Sequence, residues 1–406
     1  MLADIGDDST GPFAPLAKNL ICTAASAILI IKMATANSAA NRIDYLDWLR
    51  GFAVAGMFEV HCYDAWLGGS ARQSSFFRWS QLSGTLPAPL FIFVSGITFA
   101  LITKSLRRKG VEPNKVAART IRRGAEILGL GLLFRLQEFV LGQPAAPVSD
   151  LGRVDVLNVI GITIMGMGGL CWLARRPLAA ALASVGVATA MSMLTPPLWN
   201  SWRPHWLPWY LESYINGVHN LGAPQPWLFP IFPWAAFGFA GLAVGFFVFS
   251  GWASNHRSQS LAVVGAVGVA AFFLSEWFDS LPVRLYAVYD YWHTSPAFFL
   301  ARVGIVMGII AAVYAWCRWG LGAAGFSPFK QLGRTSLLVY WVHIEFVYGR
   351  FTILTQQAQS IWMATLGLIV IFVAMLLLSI VRTKAKGHGR EILAWIRRLP
   401  QAATGD

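Results

Sequence analysis

The chain has 406 residues, of which 56% are hydrophobic and 13% charged, with a mean hydropathy of +0.55. A soluble domain carries roughly twice that charge, so the composition excludes an ordinary soluble protein and indicates an all-α, polytopic membrane helical bundle. The net charge of +13 would suit a nucleic acid, but the Lys and Arg residues gather in short connections between apolar runs. That is the positive-inside pattern of a membrane protein, so the expected partner is the lipid bilayer and no nucleic acid.

Residues 1–41 read as an N-terminal extension. Asp4, Asp7 and Asp8 precede Pro12 and Pro15, and the apolar run 20–31 is short for a span and lacks a signal-peptidase site. Met33 opens a segment that reads as an ordinary cytoplasmic start, so translation is expected to begin there; the alternative is an extra N-terminal helix.

The membrane domain, 42–381, opens on the first span, 46–67, which carries Asp47, Arg50, Glu59, His61 and Asp64. Ionisable groups inside a span are costly unless paired or facing a wet cavity. At about 100° per residue, Asp47, Arg50, Val54, Phe58, His61 and Ala65 share one stripe, with Asp64 at its edge and Glu59 on roughly the opposite side. Arg50 and His61 are about 16 Å apart along it. Such a face suits the lining of a reaction chamber. Asp47 and Arg50, three residues apart, also suit a purely structural pair.

A loop, 68–84, leads to span two, 85–106, and to the basic segment 104–123, the strongest cytoplasmic marker. Span three, 120–141, holds Arg135 and Glu138, spaced to pair. Spans four to six are 154–173, 178–194 and 228–249, with a Trp-rich interfacial loop, 195–227, between the last two. Asp155 and Asn158 open span four. Spans seven to ten are 261–278, 295–316, 335–348 and 361–381. His293 precedes span eight, and His343 and Glu345 lie in span nine. The basic tail, 382–406, contains a candidate interfacial helix, 390–399. With the N-terminal side of span one inside, inner connections and tail hold 22 Lys and Arg and outer ones 6. Both termini are therefore expected in the cytoplasm.

On this topology His61, Asp64, His343 and Glu345 converge on the outer half of the bundle. A histidine oriented by a carboxylate is a usable general base or nucleophile, so these four are the candidate catalytic residues. Arg50, with Asp47, is the candidate donor-binding group. A lone histidine in an apolar helix is also often a packing residue. The four cysteines, Cys22, Cys62, Cys171 and Cys317, show no CxxC spacing, so neither a disulfide framework nor a metal site is expected.

Leu46-Asp47, Leu49-Arg50-Gly51 and His61 together resemble the Arg-x10-His signature of the membrane family that O-acylates carbohydrates. The segments PAPLFIFVSG of span two and LGRTSLLVYWVHIEFVYGR of span nine resemble bacterial relatives of heparan-α-glucosaminide N-acetyltransferase. The resemblance covers most of 42–381. It implies about ten helices that take an acyl group, acetyl above all, from cytoplasmic acyl-CoA (acetyl-CoA). The group passes to a hydroxyl or amine of a carbohydrate-like acceptor across a bacterial inner membrane. It also implies that Arg50 and His61 match that family's Arg and His. Heparan-type enzymes carry their histidine in the loop after the first span, yet loop 68–84 has none, so either His61 serves, as in the carbohydrate acyltransferases, or the chemistry differs or is absent. A homodimer is compatible with this class. The alternative is a proton-coupled transporter or flippase, and a catalytically inert scaffold is a third reading.

Overall fold

The computed structural model describes residues 43–220, 222–225, 227–282, 285–288, 290–320 and 325–402, with side chains to residue 385. The expected start at Met33 and the run 20–31 lie outside the described residues.

Helix α1, Asp44–Trp66, covers the expected first span. The connection expected as a loop folds into two short helices, α2 (Gly69–Arg72) and α3 (Ser75–Ser83), the second capped by the Ser74 hydroxyl. Glu59 turns toward them and accepts a 2.9 Å hydrogen bond from Ser83. Then follow α4 (Pro87–Arg108), α5 (Pro113–Leu141), α6 (Val156–Leu173) and α7 (Pro177–Asn200). Three of these four begin on proline, where the missing N–H costs no helical hydrogen bond. The Trp-rich loop is shorter than expected: α7 runs on through Pro196 and Pro197, and α8 (Trp209–Asn216) forms inside it. Helices α9 (Ile231–Val248), α10 (Gly251–Asn255), α11 (Arg257–Ser280) and α12 (Pro296–Trp319) complete the middle of the chain.

Among the described residues, seven helical stretches, those holding α4, α6, α7, α9, α11, α12 and the last helix, are long and apolar enough to cross a membrane. At 23 and 29 residues, α1 and α5 match them in length but carry more charge. The ninth expected span, 335–348, forms as a single short helix, with a second short helix directly before it. Short α13 (Pro328–Arg334) and the 12-residue α14 (Ser336–Val347) meet at Thr335, whose φ of −126° leaves the helical region. The last helix, α15, runs unbroken over Ile361–Ala402, so 390–399 continues the tenth span rather than forming a separate element.

Helix α1 is the hub. One core packs its Leu49, Ala53 and Met57 with α4, α9 and α12. A second packs its Val54, Phe58, Cys62 and Trp66 against α13, α14 and α15. The approach of α13 to α1 is at backbone contact. A Cβ on Gly51 would lie 1.8 Å from the Phe329 carbonyl oxygen, and one on Gly333 would lie 1.8 Å from that of Asp47. Apolar side chains gain little by hiding from lipid, so such small-residue contacts carry helix association. Here they fix the height at which α14 meets α1.

Candidate active site

A cavity of about 1810 Å³ passes between α1, α4, α5, α6, α9, α12 and the α13–α14 break. From α1 it takes Asp47, Arg50, Met57, His61 and Asp64; Val54 and Phe58, on the same stripe, are fully buried in the second core. The polar face is thus divided: its two ends reach the cavity and its middle holds the bundle.

At one end, the basic mouth, lie Arg50, Lys109, Arg119, Arg123, Arg334 and Arg382. Arg50 donates to Asp47 Oδ1 at 3.0 Å and to Thr98 Oγ1 at 2.6 Å, so the pair expected from spacing forms, with α4 adding a third member. Arg123 pairs with Glu126 at 3.1 Å. Lys109, Arg119 and Arg334 are exposed and have no acidic partner among the described residues.

Toward the other end His61 meets His343: His61 Nδ1 and His343 Nε2 are 3.0 Å apart, and the rings lie nearly parallel, 9° between planes. The hydrogen bonds determine which nitrogens carry protons. His343 Nδ1 lies 2.9 Å from the Val339 carbonyl oxygen, which only accepts. In a neutral ring, His343 therefore keeps its proton on Nδ1 and presents a bare Nε2. His61 must then donate from Nδ1, which leaves its own Nε2 bare. His343 is fully buried behind His61, and His61 lines the cavity.

Neither carboxylate expected to orient His61 does so. Asp64 Oδ1 pairs with Arg72 at 2.8 Å, and its Oδ2 accepts from the Tyr348 hydroxyl at 2.9 Å. Glu345 follows His343 by two residues, about 200° around the helix, and so faces α5. There its Oε1 accepts from Gln137 Nε2 at 2.8 Å, while Gln137 Oε1 accepts from Trp341 at 3.0 Å. Both acids brace the site's frame: Asp64 ties α1 to the end of α14, and Glu345 ties α14 to α5. Tyr348 also sets its ring edge-on to His61, 5.5 Å between centroids.

Beyond the histidines, the aromatic mouth is walled by Trp199, Trp227, Trp234 and Trp292. The expected Arg135–Glu138 pair forms at 2.8 Å, and Arg135 also bonds Asp155, whose side chain caps α6 together with Asn158. Asn158 in turn donates to the Tyr214 hydroxyl at 2.8 Å; burial raises the pKa of that phenol, with Asn158 partly opposing. His293, at the rim, bonds Asp290 at 2.8 Å. Among the described residues no cluster of three or more metal-ligating side chains occurs.

Sequence reasoning passed over Arg302, which lines this mouth from the second turn of α12. Its signal was available: an arginine inside the apolar run PAFFLARVGIV is an intramembrane charge that calls for a reason. Gln137 and Tyr348 gave no such signal, because only the packing of α14 brings them to the site.

Residues 42–277 match the family described as heparan-alpha-glucosaminide N-acetyltransferase, catalytic. The match takes in Arg50, His61 and the basic segment; His343 and Arg302 lie beyond it. No curated protein matches the chain. With the family covering more than half of a helical membrane bundle, the chain belongs to the heparan-α-glucosaminide N-acetyltransferase catalytic family and is a membrane acyltransferase.

Proposed function

We propose that the protein carries an acetyl group from cytoplasmic acetyl-CoA through the bundle to a hydroxyl or amine of a carbohydrate-like acceptor outside, with His61 as general base. The observation that carries this reading is the chain Val339 C=O, His343, His61, which leaves an unprotonated His61 Nε2 in a cavity reaching both ends of α1.

The basic mouth suits the donor. Lys109, Arg119 and Arg334, unpaired by acids among the described residues, can each take a phosphate oxygen, and Arg50 offers a charged fork deeper in. The rise along α1 from Arg50 to His61 is about 16 Å, room for a pantetheine arm to bring its thioester to the histidine. His61 Nε2 takes the proton of the acceptor hydroxyl or neutral amine as that oxygen or nitrogen bonds to the thioester carbonyl carbon. The carbon–sulfur bond then breaks, and the proton leaves with the CoA sulfur as thiol. His343 acts as a positioning residue. It accepts from His61 Nδ1 and stabilises the imidazolium while it lasts. This geometry favours acyl transfer over the transporter reading, since proton passage alone does not call for a base held in one tautomer and aimed into the cavity.

The charge bias supports an inner-membrane protein with both termini in the cytoplasm, so reporter fusions at Gly217 and Gly387 should report opposite sides. The test of function is transfer in proteoliposomes, with acetyl-CoA on the basic side and amino- and hydroxy-sugars on the other. Acetylated sugar with wild-type protein and none with His61→Ala is expected. Equal product from both would overturn the role of His61.

A further inference from the structure

Arg72 begins a chain of contacts that ends on the His61 ring. Its Nη2 donates to Asp64 Oδ1 at 2.8 Å, and its Nη1 donates to the Asp64 carbonyl oxygen at 2.7 Å. In a continuing helix that carbonyl would accept from the Gly68 N–H. Here Gly68 donates instead to the Gln359 carbonyl at 2.9 Å, so Arg72 satisfies the open acceptor at the end of α1. The other carboxylate oxygen, Oδ2, accepts from the Tyr348 hydroxyl at 2.9 Å. Tyr348, just past the last turn of α14, sets its ring against the His61 imidazole, 5.5 Å between centroids and 67° between planes. His61, Asp64 and Tyr348 all line the cavity.

The side chains of Arg72 and Asp64 are 29% and 42% exposed, and an ion pair so open to solvent contributes little to stability. What it fixes is a direction rather than the fold. Tyr348 is 37% exposed and has the cavity beside it. A ring with open space next to it keeps its rotamer freedom unless its far end is held, and among the described residues the bond to Asp64 is the one its hydroxyl makes. The direction matters to His61. A half-turn of the imidazole about its bond to Cβ exchanges Nδ1 for a carbon, which breaks the bond to His343 and moves Nε2 away. One hydrogen bond to His343 lets the ring rock about that contact, and a second surface set against the ring opposes this.

We propose that Tyr348 is a positioning residue for acetyl transfer: its ring, pinned by Asp64, holds the His61 imidazole at the angle where Nδ1 meets His343 and Nε2 is left to the cavity. Asp64 and Arg72 act on the base through Tyr348, without touching it. This rests on the reading of His61 as general base, and adds Tyr348, Asp64 and Arg72 to the groups that support it. No covalent bond is made or broken on these side chains.

Two measurements on the full chain in proteoliposomes separate this proposal from the reading beneath it. The first is acetyl transfer, resolved into kcat and KM. The second is the nitrogen NMR spectrum of isotope-labelled histidine, with the His61 signals identified by their absence in His61→Ala. Wild type should show one His61 tautomer, protonated at Nδ1. Tyr348→Phe keeps the ring and frees its far end. Its kcat should fall about fivefold, the scale of one modest hydrogen bond, with KM for acetyl-CoA unchanged, and its His61 signals should move toward the average of two tautomers. Asp64→Ala should do the same. Added to Tyr348→Phe, it should cost less than about twofold more, because residues acting through one contact are not additive. Retained acetyl-CoA binding shows that a variant is folded; if Asp64→Ala does not fold, Arg72→Gln, which releases the same carboxylate, takes its place. Losses that multiply in the double variant would show Asp64 acting apart from Tyr348. Wild-type kcat and spectra in Tyr348→Phe would show that its hydroxyl holds nothing. Either result overturns the proposal and leaves acetyl transfer standing. Spectra that respond to Tyr348→Phe in a protein without transfer activity would keep Tyr348 as the holder of the His61 ring and overturn the acetyl-transfer reading.

Discussion

Cations at the basic mouth stand in solvent, with Lys109, Arg119 and Arg334 all exposed, whereas Arg302 at the aromatic mouth is nine-tenths buried against Phe298. Exposed cations attract polyanions at long range, hold them loosely, and lose much of that attraction in salt. A buried guanidinium contributes nothing at long range but discriminates strongly, because the wrong ligand leaves it unmet. On the proposed function, the two mouths suit two kinds of ligand: a highly charged donor held loosely, and an acceptor selected by fit. His61 lies between them, next to a histidine that lines neither mouth.

The comparison is broken most severely at its middle. His61→Ala should fold and bind acetyl-CoA yet lose transfer by about a hundredfold or more, a typical cost of deleting a general base. Retained transfer would mean that the two mouths serve no common centre.

Next in size is the backbone contact that sets the height of His343. Gly51→Ala or Gly333→Ala drives a methyl group into a carbonyl 1.8 Å away, where overpacking costs about 1–3 kcal/mol or more. The His61–His343 hydrogen bond should be lost with it. A lower Tm together with loss of transfer exceeding the loss of acetyl-CoA binding is the expected pattern. A variant with wild-type Tm and turnover would show that α13 can stand away from α1 without consequence.

His343→Ala should cost about tenfold in kcat with little change in KM, because the base remains but its tautomer is no longer held. His343→Gln, whose side-chain oxygen can accept from His61 Nδ1, should recover part of that loss, and the two variants should differ in their pH profiles. Indistinguishable Ala and Gln variants would reduce His343 to packing.

The smallest effect belongs to the basic mouth. Single Gln replacements of Lys109, Arg119 or Arg334 should raise the KM for acetyl-CoA by only a fewfold each, since exposed charges are worth about 1 kcal/mol or less. The effect should shrink as salt rises, and preference among acceptor sugars should stay unchanged. Salt-insensitive losses, or altered acceptor preference, would erase the distinction between the mouths.

Much of this architecture is legible in the chain without coordinates. Hydropathy locates seven of the expected spans, because a bilayer demands long apolar helices with internally satisfied backbones. The spacing of Asp47 and Arg50, and of Arg135 and Glu138, foretells two ion pairs because neighbours on a helix face are set by local geometry; both form. The same periodicity puts Arg50 and His61 on one stripe. What the sequence could not decide is who meets whom between helices distant in the chain. Asp64, near His61 in sequence, turns to Arg72 and Tyr348, while His343, 282 residues away, becomes its hydrogen-bond partner. That choice depends on Gly51 and Gly333 letting two backbones touch, on a break at Thr335 that re-aims α14, and on the Val339 carbonyl that fixes a proton. Arg302 is likewise only an arginine in an apolar run until packing surrounds it with rings and withholds a carboxylate. Helix periodicity is a property of a few neighbouring residues, so the sequence by itself determined the spans and their faces. Pairing across the bundle is a property of shape and desolvation summed over many helices, and only the tertiary structure decided it.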